Sequence, residues 1–452
     1  MRLAAPLLAI LLSLAFVASA AVAGAADTKV VLQIQGAADL SHDAPHEDRW
    51  DSRNQLEASV DGAASEALSY KVSGRFKGDI YGDGNVDEDV DLEVYETYLK
   101  YRAERFNLTV GNLVIHWGKM DELVLTDNVN AQDLDQFVLP WKEDRKLATP
   151  MAQAEIYLGD TTVELLVSPH PAINRITFFN SDWAFFRHNR EVGADLAPDA
   201  ATADFFKHLG VDADAPDWGD VEYGGRLRST VGDVDWALSA LVYHQRDPVF
   251  RGDLLTLGAA FNPEGAIAQL PADPATRASL LAATSPDITA SYPWVVTLGG
   301  ALETTIGDYG VRAEVAHTLN MEYQAKDLGV AEADQTLFGV GIDLTYNELY
   351  TNLQLVQQWV EGSEDLLFTN KQAATLVFVL EYETFQGTIT PAFYAAWDLG
   401  DNASYIRPRV LYKQSDHLTL DAGLEIFTGG EKTALGSFDA NDQAYLSATI
   451  SF

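Results

Sequence analysis

The sequence predicts an all-β fold, a transmembrane antiparallel up-and-down β-barrel of about 18 strands. Apolar and polar residues alternate over segments of about ten residues, the length of a tilted membrane strand and longer than an ordinary strand. Short and long connections between these segments alternate along the chain. Beyond the amino terminus, no apolar run is long enough for a membrane helix, so membrane residence would require a closed sheet.

The amino terminus, residues 1–25, has the pattern of a secretory signal peptide. A basic start at Arg2 precedes a compact apolar run from Leu7 to Val17, and small residues follow. We expect cleavage after Ala25 or Ala23, and we expect residues 26–452 to form one exported barrel domain.

The rest of the chain contains the predicted strands. Segment 67–80 illustrates the alternation, since Val72 and Phe76 share one face and Lys71 and Arg75 share the other. The predicted strands are 29–40, 54–62, 67–80, 91–102, 106–116, 151–158, 161–168, 220–231, 234–245, 294–306, 309–321, 335–346, 348–360, 373–384, 387–398, 403–413, 417–428 and 442–452.

The connections fall into two classes. Gly159-Asp160, Gly232-Asp233, Gly307-Asp308 and Asn347 are typical of tight hairpin turns. The connections between them are mostly longer. Short periplasmic turns and long extracellular loops are the plan of outer-membrane barrels, and an even strand count returns both chain ends to one side. A soluble β-sandwich would have shorter strands and no such division of its loops.

The last ten residues, Gln443 to Phe452, alternate strictly and end on an aromatic side chain. This stretch resembles the assembly signal of Gram-negative outer-membrane β-barrels of the porin kind. The resemblance implies an outer-membrane location, with lipids and lipopolysaccharide as neighbours, and a role for Phe452 in recognition by the barrel-assembly machinery.

A second resemblance lies in residues 116–151. Trp117-Gly118, Asp127-x-x-Asn130 with Asp133, the charged run Lys142 to Lys146 and Pro150-Met151 are similar to a widespread family of large proteobacterial outer-membrane proteins. That family has no assigned function, so the resemblance supports the barrel and adds no substrate.

The polar face of the strands would line a lumen, and barrels of this size leave an aqueous channel. Charges of both signs occur there. They could set the selectivity of a channel, or they could pair with one another and hold a filled lumen. The predicted pore-lining residues are Lys71, Arg75, Lys77, Lys100, Arg102, Arg226, Arg228, Glu314, Glu381, Arg407 and Arg409.

The connection at 117–150 is too long for an ordinary loop and mixes apolar with charged residues. We expect it to fold inward and narrow the pore. The alternative is a loop that rests on the rim. The residues expected at the constriction are Asp127, Asp133, Asp135, Arg145 and Lys146.

The long connection 169–218 carries an aromatic cluster, including Phe178 and Trp183, beside Arg187 and Arg190. Such a surface could bind a sugar ring or a lipid, or it could pack on the inner wall of the barrel. Short helices are expected at 198–209 and 264–290.

Composition narrows the functional classes. A formal charge of −37 argues against nucleic acid as a partner. Cysteine is absent, and no nucleophile elbow or zinc-protease motif occurs, so the sequence predicts no enzyme, metal or cofactor.

The expected function is passive diffusion of small hydrophilic solutes. The alternatives are a conduit for hydrophobic or lipid-like cargo working with periplasmic partners, and a plugged structural or adhesive barrel. The sequence does not indicate an oligomeric state.

Overall fold

The computed structural model describes residues 26–40, 49–82, 87–140, 142–362, 365–430 and 433–452. The predicted signal peptide lies outside these residues. No helix in the described ranges is long and apolar enough to cross a membrane.

Eighteen strands form one antiparallel sheet whose last strand pairs with its first, so that the sheet closes into a barrel. The predicted fold class is therefore confirmed, and each predicted strand corresponds to one barrel strand. The barrel strands are β1 (Ala26–Asp39), β2 (Trp50–Ala63), β3 (Leu68–Gly82), β4 (Asp87–Arg102), β5 (Phe106–Leu113), β6 (Thr149–Leu158), β7 (Thr161–Ser168), β9 (Glu222–Val231), β10 (Val234–His244), β13 (Trp294–Ile306), β14 (Tyr309–Gln324), β15 (Val330–Tyr346), β16 (Leu349–Val360), β17 (Gln372–Tyr382), β18 (Ile389–Asp398), β19 (Ala403–Ser415), β20 (Leu418–Thr428) and β21 (Gln443–Ser451).

The two faces of each strand differ in the way that the alternation predicts. On β16, Leu353 and Leu355 are exposed, whereas Asn352 and Gln354, which alternate with them, are buried. Side chains of a strand point alternately to its two faces. The apolar side chains therefore form the outer surface of the barrel, and the polar ones point inward.

The barrel has a rim of short turns and a rim of long connections. Gly159, Gly232 and Gly307 have φ angles of 68°, 63° and 64°, which glycine adopts without steric cost. The long rim includes the connections between β5 and β6, between β7 and β9, and between β10 and β13.

Two of these long connections, 169–221 and 245–293, fold together into a unit that we call the cap. Phe186, Phe206, Phe250 and Ile288 are buried in its apolar core. The cap contains the three-stranded sheet β8 (Gly210–Asp214), β11 (Val249–Arg251) and β12 (Asp287–Ser291), and the helices α2 (Asn189–Leu196), α3 (Ala200–Lys207), α4 (Leu254–Phe261), α5 (Pro263–Gln269) and α6 (Pro274–Ala283).

Helices occur in both regions where the sequence predicts them, whereas the small sheet was not predicted. The aromatic residues of 169–218 divide between two places. Phe178, Phe179 and Phe186 pack in the cap core. Trp183 instead packs against Phe427 and Phe438 at the mouth of the barrel.

Candidate functional site

The connection between β5 and β6, residues 114–148, crosses the interior of the barrel, and we call it the lumen loop. It contains one short helix, α1 (Lys142–Arg145). Its hydrogen bonds reach inward-facing residues of strands that are far apart around the barrel. The wall partners include Arg75, Asp79, Glu164, Arg312, Glu314, Asn352, Gln354 and Arg407.

The strongest anchor of the lumen loop is Glu314 on β14, whose side chain is almost fully buried. Its carboxylate accepts hydrogen bonds from the amides of Met120 (2.7 Å), Leu125 (2.8 Å) and Thr126 (3.1 Å). It also accepts from the Lys119 amide and the Thr126 hydroxyl. Hydrogen bonds to a charged acceptor are stronger than neutral ones. Glu314, predicted as a pore-lining residue, therefore lies beneath the loop and holds it.

Further anchors lie on either side of Glu314. Gln354 on β16 accepts from the amide of Leu123 at 3.0 Å. Glu164 on β7 accepts from the indole of Trp117 at 3.0 Å. The first part of the lumen loop is therefore fixed against β7 to β16.

Glycine allows the loop to approach this part of the wall. A Cβ atom on Gly299 of β13 would lie 2.8 Å from Thr126, and one on Gly339 of β15 would lie 2.6 Å from the Met120 sulfur. Real Cβ atoms essentially never approach another heavy atom that closely, so a side chain at either position would require the loop residue beside it to shift.

Two of the predicted constriction residues hold the loop together internally. The Lys146 ammonium donates to the Asp127 carboxylate at 2.5 Å and to the Ile115 carbonyl at 2.6 Å. The side chains of both ion-pair partners are about 90% buried, with relative exposures of 8% and 10%.

The second part of the lumen loop borders a cavity of about 510 Å³. Its wall is formed by strands β1 to β4 and β19 to β21. The lining residues are Gln33, Gln35, Arg53, Asn54, Gln55, Lys77, Asp79, Val90, Asp91, Asp133, Asp135, Gln136, Leu139, Pro140, Asp144, Arg145, Arg175, Arg407, Arg409, Leu411, Thr419, Asp421, Ser447 and Thr449.

Six of the predicted site residues therefore come together at this cavity: Lys77, Arg407, Arg409, Asp133, Asp135 and Arg145. The others lie elsewhere along the wall. Glu381 contacts Arg409 from outside the lining, and Arg102 is exposed at the short-turn end of β4. The remaining predicted cations form the ion pairs Lys71–Glu96, Arg75–Glu57, Lys100–Glu155, Arg226–Glu164 and Arg228–Glu155.

The cations of the cavity wall are held by carboxylates. Arg409 contacts Asp421 at 3.1 Å and Glu381 at 3.3 Å. Lys77 forms an ion pair with Asp133 of the lumen loop. Burial alone would raise the pKa of the Asp133 carboxyl, but Lys77 and Arg175 beside it lower that pKa below its usual range.

A smaller cavity of about 60 Å³ adjoins the larger one, and Arg53, Asp79, Asp135 and Gln136 line both. The rest of its lining comes from the long-loop rim: Asp39, Trp50, Asp51, Thr177, Ser181, Asp182, Trp183, Asn441 and Gln443.

Sequence reasoning missed two lining cations. Arg53 precedes the predicted strand 54–62 by one residue, although it continues the polar face of Gln55 at period two, so a longer strand would have found it. Arg175 lies in the cap connection and reaches Asp91 at 2.8 Å and Asp133 at 3.2 Å. No local pattern marks that contact.

Phe452 lies at the seam that closes the barrel. Its amide donates to the Val30 carbonyl at 2.9 Å, and its own carbonyl accepts from the Val30 amide at 3.1 Å. Its ring is 70% exposed. Across the described ranges, no three His, Asp or Glu side chains are grouped as a metal site.

A closed barrel of 18 strands with a loop crossing its lumen is the architecture of Gram-negative outer-membrane porins. The structure is similar to OccAB4 of Acinetobacter baumannii, at 8% identity over 95% of this chain and 98% of that one, with a TM-score of 0.52. It is also similar to OccAB2 of the same organism, at 8% identity over 94% and 98% of the two chains, with a TM-score of 0.50. At such identities the similarity concerns the fold.

The sequence itself identifies the family. Residues 28–452 match the family described as "Protein of unknown function (DUF1302)", so the chain belongs to that family. No curated protein matches the sequence.

Proposed function

We propose that this protein is an outer-membrane channel for the passive diffusion of small hydrophilic solutes. The observation that carries the proposal is the cavity of about 510 Å³ between the lumen loop and the wall strands β1 to β4 and β19 to β21. Its volume is within the range of small-molecule sites, roughly 300–1,000 Å³. Solutes would cross the membrane along this side of the lumen.

The lining favours hydrophilic solutes over a lipid-like cargo. Only Val90, Leu139, Pro140 and Leu411 are apolar among the residues around the larger cavity. An acyl chain would have to cover many charged and amide groups, and each such polar group costs free energy to bury without a partner.

Within this proposal the lumen loop, which the sequence predicts at 117–150, forms the constriction. Asp133, Asp135 and Arg145 would face the passing solute, whereas Asp127 and Lys146 would keep the loop in shape. The proposal also includes export through a cleaved signal peptide, short turns in the periplasm, and contact of the apolar outer surface with lipids and lipopolysaccharide. Assembly would use the carboxy-terminal strand ending at Phe452.

Planar-bilayer recording of the purified mature chain, residues 26–452, tests the proposal. We expect stepwise conductance increments from the unaltered protein. A plugged barrel would give no conductance, and a lipid conduit would retain lipid through purification.

A loop-replaced variant is the matched control. The pair Leu113 and Thr149 is the last rung of the ladder between β5 and β6, so a turn of about four residues can replace residues 115–147 there. We expect this variant to conduct more than the unaltered protein. If only the loop-replaced variant conducted, the natural barrel would be plugged and the proposed channel function would be wrong.

A further inference from the structure

The smaller cavity has a strongly acidic lining. It presents the side chains of five aspartates: Asp39, Asp51, Asp79, Asp135 and Asp182. Arg53 is its single guanidinium. Because this cavity adjoins the larger one on the side of the long connections, a solute entering from that rim would meet a negative lining first.

Two further features of the smaller cavity suit a donor-bearing cation. Trp50 and Trp183 line it, and the Trp183 ring already attracts the Arg53 guanidinium, which lies 5.9 Å from its centroid. The Asp51 Oδ1 atom is buried and, within the described part of the chain, has no hydrogen-bond donor. An ammonium group has several donors to offer and no acceptor.

The larger cavity has balanced charges on its surface, with six basic and six acidic lining residues. The layer behind that surface is acidic. Glu93 contacts Lys77 at 3.6 Å, Glu381 contacts Arg409 at 3.3 Å, and Glu425 contacts Arg407 at 3.4 Å. Around the cavity as a whole, carboxylates therefore outnumber cations.

Two arginines of the larger cavity, Arg407 and Arg53, already have acceptors from the protein. Arg407 donates to the Leu139 carbonyl at 3.0 Å and to the Tyr445 hydroxyl at 3.2 Å, in addition to its contact with Glu425. Arg53 is held in the same way by Asp51 at 2.7 Å. An anionic solute would have to replace these acceptors, whereas a cationic solute would not.

We propose that the passage through the two cavities selects cations, both monovalent metal ions and small organic solutes that carry an ammonium group, over anions. This inference rests on the proposed channel function. Charges in a narrow passage with low-dielectric walls act more strongly than charges on an open surface, because the walls focus their field. The carboxylate surplus would concentrate cations at the narrowest part of the path and exclude anions from it.

The test is the reversal potential of single channels across a potassium chloride gradient, repeated with methylammonium chloride, whose cation has N–H donors. We expect a cation-to-anion permeability ratio of about 3 or more with either salt, because a potential of a few kT at the lining enriches cations several-fold. A ratio at or below one in a conducting channel would overturn the cation preference and leave the channel function standing. Absence of any conductance would overturn both.

The double variant Asp39→Asn/Asp135→Asn tests whether the cation selectivity arises from the lining of these cavities. Asparagine keeps the shape and the carbonyl acceptor, so the hydrogen bond from Thr177 to residue 135 can remain. We expect the permeability ratio to fall by about half or more as lining charge is lost. The matched control, Asp233→Asn/Asp308→Asn, removes two carboxylates from the short turns and should leave the ratio unchanged. Equal ratios in both double variants would overturn the assignment to these cavities.

Discussion

The two sides of the lumen use similar inward-facing side chains for different purposes. On the side of β7 to β16, which we call the filled sector, Glu314 and Gln354 accept hydrogen bonds from backbone amides of the lumen loop. On the side of β1 to β4 and β19 to β21, the open sector, Asp421 accepts from Arg409 on the same wall. Glu314 therefore holds the lumen loop in place, whereas Asp421 and Arg409 form a charged wall beside open space.

The largest expected effect comes from Glu314→Ala, which would release the lumen loop from the filled sector. The substitution leaves at least four loop amides without an acceptor, and each buried unsatisfied donor costs about 1–3 kcal/mol. We expect the loop to detach from β14 and the single-channel conductance to increase about twofold or more, since the path is no longer confined to one side.

Glu348→Ala is the control for charge removal, because Glu348 is an exposed residue at a short turn. Its conductance should equal that of the unaltered protein. If Glu314→Ala kept the native conductance and the native strand content, the anchoring role of Glu314 would be refuted.

An intermediate effect is expected at Arg246, which joins the lumen loop to the cap. It donates to the carbonyls of Ala172 (2.6 Å) and Val129 (2.8 Å) and forms an ion pair with Glu222 at 2.8 Å. Arg246→Met would leave the Glu222 carboxylate buried without its main partner, which costs about 3–5 kcal/mol. We expect a lower midpoint of thermal unfolding in detergent and noisier open-channel current, with the mean conductance close to native because Glu314 still holds the loop.

The double variant Arg246→Met/Glu222→Gln separates two effects of losing Arg246. One is the loss of its contact with the lumen loop, and the other is the burial of an unpaired Glu222 carboxylate. The double variant should recover part of the thermal stability while the current noise stays high, since the loop contact at Val129 is still missing. Full additivity of the two single effects would show that the ion pair carries no coupling.

The fold could be predicted more fully than the site, for a physical reason. Lipid outside and water inside impose a period of two on every strand, so each strand can be recognised from its own residues. By contrast, the group that an inward-facing residue contacts depends on which segment of the chain packs over that residue inside the barrel. Glu314 and Glu381 occupy equivalent inward positions, yet one lies beneath the lumen loop and the other contacts Arg409.

Some signals of the filled sector were present in the sequence. Gly299 and Gly339 interrupt the polar face of their strands, and a missing side chain on an inner wall indicates that another segment approaches there. The cap sheet offered no such signal. Its parallel pairing of Ile288 with Val211 joins segments separated by several helices, and local patterns do not encode that contact.

The smallest expected effect concerns the cap alone. It tests whether the cap unfolds independently of the filled sector and the open sector. Asp199 caps α3, and its pKa is lowered from 3.8 to about 2 by the Thr202 amide, by Arg277 and by the Thr202 hydroxyl. Because the folded-state pKa is the lower one, this stabilisation is complete above about pH 4 and is lost as the pH falls through about 2.

We therefore expect hydrogen exchange of Ala200–Lys207, corrected for intrinsic rates, to accelerate between pH 4 and pH 2 in the native protein. In Asp199→Asn the exchange should be faster at pH 5 and nearly independent of pH in that window, with exchange in β14 unchanged. Parallel changes in β14 would mean that the cap and the filled sector unfold as one unit.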